Sequence, residues 1–206
     1  MLLVGLFAGF LCLLMVLGDW VHFTKLTASA ARYGCGVGRE EDRLAASSTT
    51  EVLRRFDPNG VLSLPHGVAR LFRPENMILL RPHYRLFSFR FRTAWPIKGS
   101  IDLKEDGEAC RLLCVKRIPW SSAIMTAAWF ALVGLGTLGF AVLYILQEGL
   151  ASVGSALLGL SVIGVGVMVF GFGLITVVLA YRLENARLRQ VYHELRDALG
   201  KADAGP

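Results

Sequence analysis

Residues 118–182 read IPWSSAIMTAAWFALVGLGTLGFAVLYILQEGLASVGSALLGLSVIGVGVMVFGFGLITVVLAYR, and this stretch decides the fold. Between Arg117 and Glu148 there is no Asp, Glu, Lys or Arg, and none between Glu148 and Arg182. A helix rises about 1.5 Å per residue, so about 20 apolar residues cross a hydrocarbon layer about 30 Å thick. Each uncharged run is long enough. The first predicts a helix from Trp120 to Leu146, with Pro119 just before it, where a missing N–H costs nothing. The second predicts a helix from Ser152 to Ala180, with Tyr181 and Arg182 at its far end. Gln147, Glu148 and Gly149 leave room only for a tight link, so the pair is a helical hairpin. A hairpin buried in a soluble core would need polar residues on its outer faces, and these helices lack them.

The hairpin also carries a packing signal. Gly159, Gly166 and Gly173 recur every seven residues, and Gly164 and Gly171 repeat that interval. Seven residues is close to two helical turns, so each set lies along one stripe. Small residues let helices approach closely in lipid. Ala127, Ala131, Gly134 and Ala141 are candidates for the facing side, and Gly5 and Gly9 form a similar pair in the first apolar run. Two uses are open: packing of the spans within one chain, or docking on a protein partner or a second copy.

Working outward, Met1–Gly18 is a third uncharged run, followed by Asp19, Trp20, His22 and Lys25. Trp and His at that edge suit the headgroup zone. The competing reading is a cleaved signal peptide ending near Ala28-Ser29-Ala30. No basic residue precedes the run, and that triplet lies far beyond its end, so a retained anchor is the expectation.

Basic residues give the orientation. Of 22 Lys and Arg, those between Lys25 and Ile118 form the largest group, the hairpin link has none, and Arg182, Arg187, Arg189, Arg196 and Lys201 follow the last span. Both basic segments fall on one side of a three-span chain. The positive-inside rule then places the N-terminus outside, with the middle segment and the tail in the cytoplasm, at the inner membrane if the cell is bacterial. The overall composition agrees: 54% hydrophobic, 18% charged, mean hydropathy +0.51. A wholly soluble domain has about a quarter charged residues. Cys12, Cys35, Cys110 and Cys114 show no regular disulfide spacing.

The expected organisation is an N-terminal span over 1–23, a helical or loop linker over 24–56, and a β-rich cytoplasmic module over 57–118. The hairpin over 119–181 and a short amphipathic tail helix over 182–206 complete it. The linker is broken by Gly34, Gly36 and Gly38. Ser48 and Glu51 are spaced as a capping box ahead of Val52, Leu53 and Phe56, and Asp57-Pro58-Asn59-Gly60 ends that helix. After Gly60 the pattern turns to period two. Val61–Leu64, Val68–Phe72 and Met77–Leu80 are short apolar runs; Phe87, Phe89 and Phe91 alternate with Ser88, Arg90 and Arg92; Ile97–Leu103 and Ala109–Val115 follow. This predicts an antiparallel meander of five or six strands, greasy on one face and wet on the other. In the tail, Leu188, Val191, Leu195 and Ala198 make an apolar stripe that covers part of the sheet or pairs with a second copy. The fold class is therefore an α+β membrane protein with three spans and a small antiparallel insert.

No catalytic motif stands above background. Gly34-Cys35-Gly36-Val37-Gly38 lacks the Lys-Ser/Thr of a phosphate loop. Cys110 and Cys114 have neither zinc nor thioredoxin spacing and read as buried small hydrophobes. Neither hairpin helix carries a His or a carboxylate, so no haem ligand, proton relay or ion path is visible there. The non-random feature is basic: Arg70, Arg73, Arg81, Arg85, Arg90 and Arg92 lie in a stretch whose one acid is Glu75. Next to a cytoplasmic leaflet such a surface attracts anionic lipid by about 1 kcal/mol per nearby basic residue. Arg81, Arg85, Arg90 and Arg92 are the candidate partner or lipid face. The same arginines also serve as plain topology signals. Nucleic acid is disfavoured, because the interleaved Phe residues read as core.

The expected function is that of an integral membrane protein without catalysis: a scaffold, assembly factor or accessory subunit whose basic module binds a partner protein or anionic headgroups. No cofactor, metal or small-molecule substrate is expected. The alternatives are a membrane-bound enzyme using His83, Asp102 or Cys110 in the insert, and a small transporter or channel subunit with a pore shared between copies.

Overall fold

The computed structural model describes residues 2–44, 52, 54–83, 93–106, 109–147 and 151–200. Among the described residues the fold is α+β, with a six-stranded antiparallel sheet and three apolar helices long enough to cross a membrane. It divides into two compact units, Met1–Ser121 with Leu183–Pro206, and Ser122–Arg182.

The first unit begins with α1 (Leu2–Thr24) and the short α2 (Ala28–Arg32), whose first turn is capped by the Thr27 hydroxyl accepting from the Ala30 N–H. The strands are β1 (Cys35–Leu44), β2 (Val61–Ser63), β3 (Gly67–Phe72), β4 (Met77–Pro82), β5 (Lys98–Asp106) and β6 (Ala109–Ile118). Their order is β1-β6-β5-β4-β3-β2. Strands β2 to β6 thus form the expected meander, and β1 adds to the far side of β6, pairing from Cys35 opposite Ile118 to Leu44 opposite Cys110. The predicted turn after Phe56 is present: the Gly60 N–H donates to the Asp57 carbonyl at 2.8 Å, and Gly60 has φ +72°, which glycine adopts without strain.

Two expectations are corrected. Residues 35–44 were expected in a helical or loop linker; they form β1, so the sheet starts at Cys35 and not after Gly60. The C-terminal helix is not a separate short element, because α4 runs unbroken over Val153–Gly200. No Gly or Pro falls between Gly173 and Gly200 to stop it. The expected Phe-rich strand at 84–93 and the Ser48–Glu51 capping box lie outside the described residues.

The sheet is dry on one side. Leu188, Val191, Leu195 and Leu199 of α4 pack on Ala69, Leu71, Ile78, Leu80, Ile101 and Leu112, together with Val52 and Phe56. This is the predicted tail stripe, with Leu199 rather than Ala198 at its last buried position. The helix lies close: a Cβ at Gly67 would overlap the Val191 side chain, and one at Gly99 would stand 3.6 Å from Leu188. On the other side Met77 and Leu79 bury against Ala31, with Leu26 and Phe72 packed around them.

The second unit is the hairpin of α3 (Trp120–Leu146) and the first part of α4. Ser152 and Ser155 open α4 reciprocally, the Ser155 N–H donating to Ser152 Oγ at 3.2 Å and the Ser152 N–H to Ser155 Oγ at 3.1 Å.

Candidate functional site

Strand alternation sorts the side chains of the sheet by charge. On the tail side stand Glu40 and Asp42 of β1 and Lys116 of β6. On the α1 side stand Arg39 and Arg43 of β1, Arg70 of β3, Arg81 of β4, Lys98 and Lys104 of β5, and Arg111 and Arg117 of β6. Against them, among strand residues with described side chains, are Glu41 and Asp102. Glu41 holds Arg111 at 2.6 Å, and Asp102 lies 3.8 Å from Arg32 of α2. The Arg111 ion pair holds the Glu41 carboxyl below its usual range.

The centre of the α1 side is occupied by the end of α1. A helix C-terminus leaves its last carbonyls without intrahelical donors, and cations are favoured there. The sheet supplies those donors. Lys98 is fully buried, and its Nζ donates to the Phe23 carbonyl at 3.2 Å and to the Ala30 carbonyl, at the ends of α1 and α2. The ammonium also stands 3.9 Å from the centre of the Phe23 ring, a cation–π contact. Arg81 donates to the Thr24 carbonyl, Arg70 to Leu26 at 2.5 Å, and Arg117 to Gly34 at 3.1 Å. Burial, with Arg117 and Arg81 nearby, pulls the Lys98 ammonium down to about 8, against a smaller opposing pull from Asp19.

Asp19 ties the same region together from the helix side. Its carboxylate accepts from the Tyr33 hydroxyl at 2.5 Å and from the Ser121 N–H at 2.9 Å, so it caps the first turn of α3. The hydrogen bond to Asp19 raises the Tyr33 hydroxyl above its ordinary value. His22 meets the Tyr33 ring edge-on at 4.6 Å.

The tail side is closed by ion pairs around the leucine stripe. Lys116, almost fully buried, donates to Glu40 and to Asn185, each at 2.6 Å, and Arg189 reaches Glu40 at 2.9 Å. Arg196 lies 3.4 Å from Asp42, and Glu194 accepts from the His66 N–H at 3.0 Å. Burial pushes Glu40 up, but the Lys116 and Arg189 bonds outweigh it and leave the carboxyl below its usual range.

Of the four arginines in the candidate face, Arg81 is at the base of α1, and Arg85, Arg90 and Arg92 lie outside the described residues. Lys98, Ser100 and Asp102 were expected on a wet face, yet Lys98 and Ser100 are buried. The sequence carries the alternation that places them on one side but no signal that α1 would cover it. Arg117 and Asp19 were likewise missed as partners.

The residues considered for catalysis are not brought together. Asp102 is opposite Met77 at the start of β4, His83 follows its end, and Cys110 is buried on the other side of the sheet. Cys114, four residues further along β6 on the same side, is pushed up to about 11 by burial, far from a reactive thiolate. Among the described residues no group of three or more His, Cys, Asp or Glu side chains is placed to hold a metal.

In the hairpin, Gly159, Gly166 and Gly173 all face α3. A Cβ at these positions would overlap Tyr144, Thr137 and Trp129 in turn, whereas Gly164 and Gly171 face open space. The stripe is therefore used within the chain. Gly166→Val should destabilise the hairpin by about 1–3 kcal/mol through overpacking, read as a lower thermal midpoint in mild detergent. Gly164→Val should leave the midpoint unchanged; equal effects would remove this packing account.

No protein-family model, curated protein or solved structure matches this chain.

Proposed function

We propose that this chain is a non-catalytic integral membrane scaffold or accessory subunit. Its sheet module is a platform held at the membrane surface, on which other components of a membrane complex are positioned. The observation that carries this reading is the grip on the sheet from both sides. Sheet cations hold the end of α1 through its carbonyls, and α4 lays four apolar residues across the opposite side. A domain on a loose tether needs neither contact. A platform that must present one side in a fixed direction needs both.

Three apolar helices support the membrane setting. The distribution of Lys and Arg supports an outside N-terminus and a cytoplasmic module and tail. The test compares native-gel separations of mildly solubilised membranes from cells with and without the chain. The expected result is one membrane assembly that contains the chain and shrinks or dissociates without it. Identical assemblies in both, with the chain migrating alone, would end the scaffold reading.

A further inference from the structure

We infer that the α1 side of the sheet binds the anionic headgroups of phospholipids. This rests on the membrane-anchored reading above and names what the platform touches. The first ground is the bias of charge by side: among strand residues with described side chains, Arg39, Arg43, Lys104 and Arg117 join Arg70, Arg81, Lys98 and Arg111 on the α1 side against Glu41 and Asp102, while the other side has Glu40 and Asp42 with Lys116. A module kept soluble by charge alone needs no such bias. The second ground is that hydrogen bonds to carbonyls leave formal charge in place. Arg70, Arg81 and Lys98 hold the backbone at the end of α1, but the dipole of a helix C-terminus is worth only about half a negative charge, so most of their charge is left. The field of these cations persists around the base of the helix.

The third ground is position. The apolar helix α1 ends on this side and no other. With lipid around α1, the first polar layer met at its base is the layer of headgroup phosphates. Arginine suits that layer, because its planar fork pairs two N–H donors with phosphate oxygens. Arg39 and Lys104 are exposed, and Arg32 is 65% exposed, so their charged ends reach solvent on that side.

The test uses the full chain purified in mild detergent and offered equal amounts of phosphatidylglycerol and phosphatidylcholine, with bound lipid counted by native mass spectrometry. The wild type should retain the anionic lipid by at least about threefold at low salt, with the preference falling as salt screens it. The double variant R39E/K104E should bring the ratio close to one. Gln190→Glu, an exposed position on the outer side of α4, adds negative charge away from the face and should keep the preference. Equal retention of both lipids by the wild type, or an unchanged ratio in R39E/K104E, would overturn the proposal. So would an equal loss in Gln190→Glu, which would show net charge acting and not this face. A protein partner held without lipid preference would favour an acidic protein surface instead. A chain that fails to enter bilayers removes the platform reading itself, whereas one that enters without headgroup preference removes only this inference.

Discussion

Leu195→Asp should unfold the sheet module while leaving the hairpin intact. Leu195 is 1% exposed and sits in the stripe of α4 that closes the tail side of the sheet. Trimming such a side chain to alanine costs about 2–5 kcal/mol. An aspartate adds the desolvation of a carboxylate with no partner provided, which is several kcal/mol more. A domain of this size has about 5–15 kcal/mol in total, so the aspartate removes most of it. The measurement is limited proteolysis of the full chain in mild detergent. The wild-type strands β1 to β6 should resist cleavage, Leu195→Ala should be cut in them faster, and Leu195→Asp should be cut in all of them. Gln190→Asp, on the exposed side of the same helix, should behave as the wild type. If Leu195→Asp resists protease as the wild type does, the tail does not hold the sheet.

The parts of this fold that sequence exposes best are those where one physical requirement dominates many consecutive residues. Lipid-length apolar runs need no tertiary context, so α1, α3 and the apolar part of α4 can be read directly. Strands β3, β5 and β6 alternate with period two because one side is covered by leucines, whereas β4, buried on both sides, reads as an unbroken apolar run. The stripe Leu188, Val191 and Leu195 shows three- and four-residue spacing for the same reason.

Strand β1 hides because its signals point elsewhere. Gly34, Gly36 and Gly38 read as breakers, and Arg39, Glu40, Glu41, Asp42 and Arg43 show no apolar alternation. Yet charge is what a sheet edge carries to discourage further pairing. Here the alternation is electrostatic: Glu40 and Asp42 meet basic residues of α4, while Glu41 meets Arg111 on the other side. The role of Lys98 is hidden more deeply. Its place on the polar side of β5 is visible, but its burial depends on where a helix some 75 residues earlier comes to rest, as the Lys98–Phe23 contact shows. The unbroken α4 was missed because the change from apolar to charged residues at Arg182 marks a change of surroundings and not of backbone.

Raising the pH from 8 towards 10 should strengthen the docking of α1 on the sheet, and Lys98→Met should abolish that rise. In the folded chain the Lys98 ammonium titrates at about 8, against 10.5 for an ordinary lysine, chiefly because burial penalises its charge. Below pH 8 the lysine is protonated in both folded and unfolded chains, and pH has no effect through it. Between 8 and 10.5 the unfolded chain binds the extra proton, so stability increases with pH. Above 10.5 both forms are neutral and the gain is complete, on the order of 3 kcal/mol from the 10.5-to-8 shift. Three groups act in the opposite direction, the Tyr192 hydroxyl among them, which burial raises well above 10.0. Cys114, raised to about 11 from 9.0, makes the folded chain the stronger proton binder above pH 9, and Tyr33, raised above 10.0, does so from pH 10. The wild type minus Lys98→Met difference cancels all three and isolates the lysine. Methionine also leaves the Phe23 and Ala30 carbonyls without their donor, at about 1–3 kcal/mol each. The variant should therefore be clearly weaker at pH 10, with the gap narrowing at pH 7, where the wild type must hold a buried ammonium. Denaturant unfolding of both proteins in mild detergent across pH 7–10 reads this directly. Parallel profiles would mean that Lys98 reaches water in the folded chain and does not hold the end of α1.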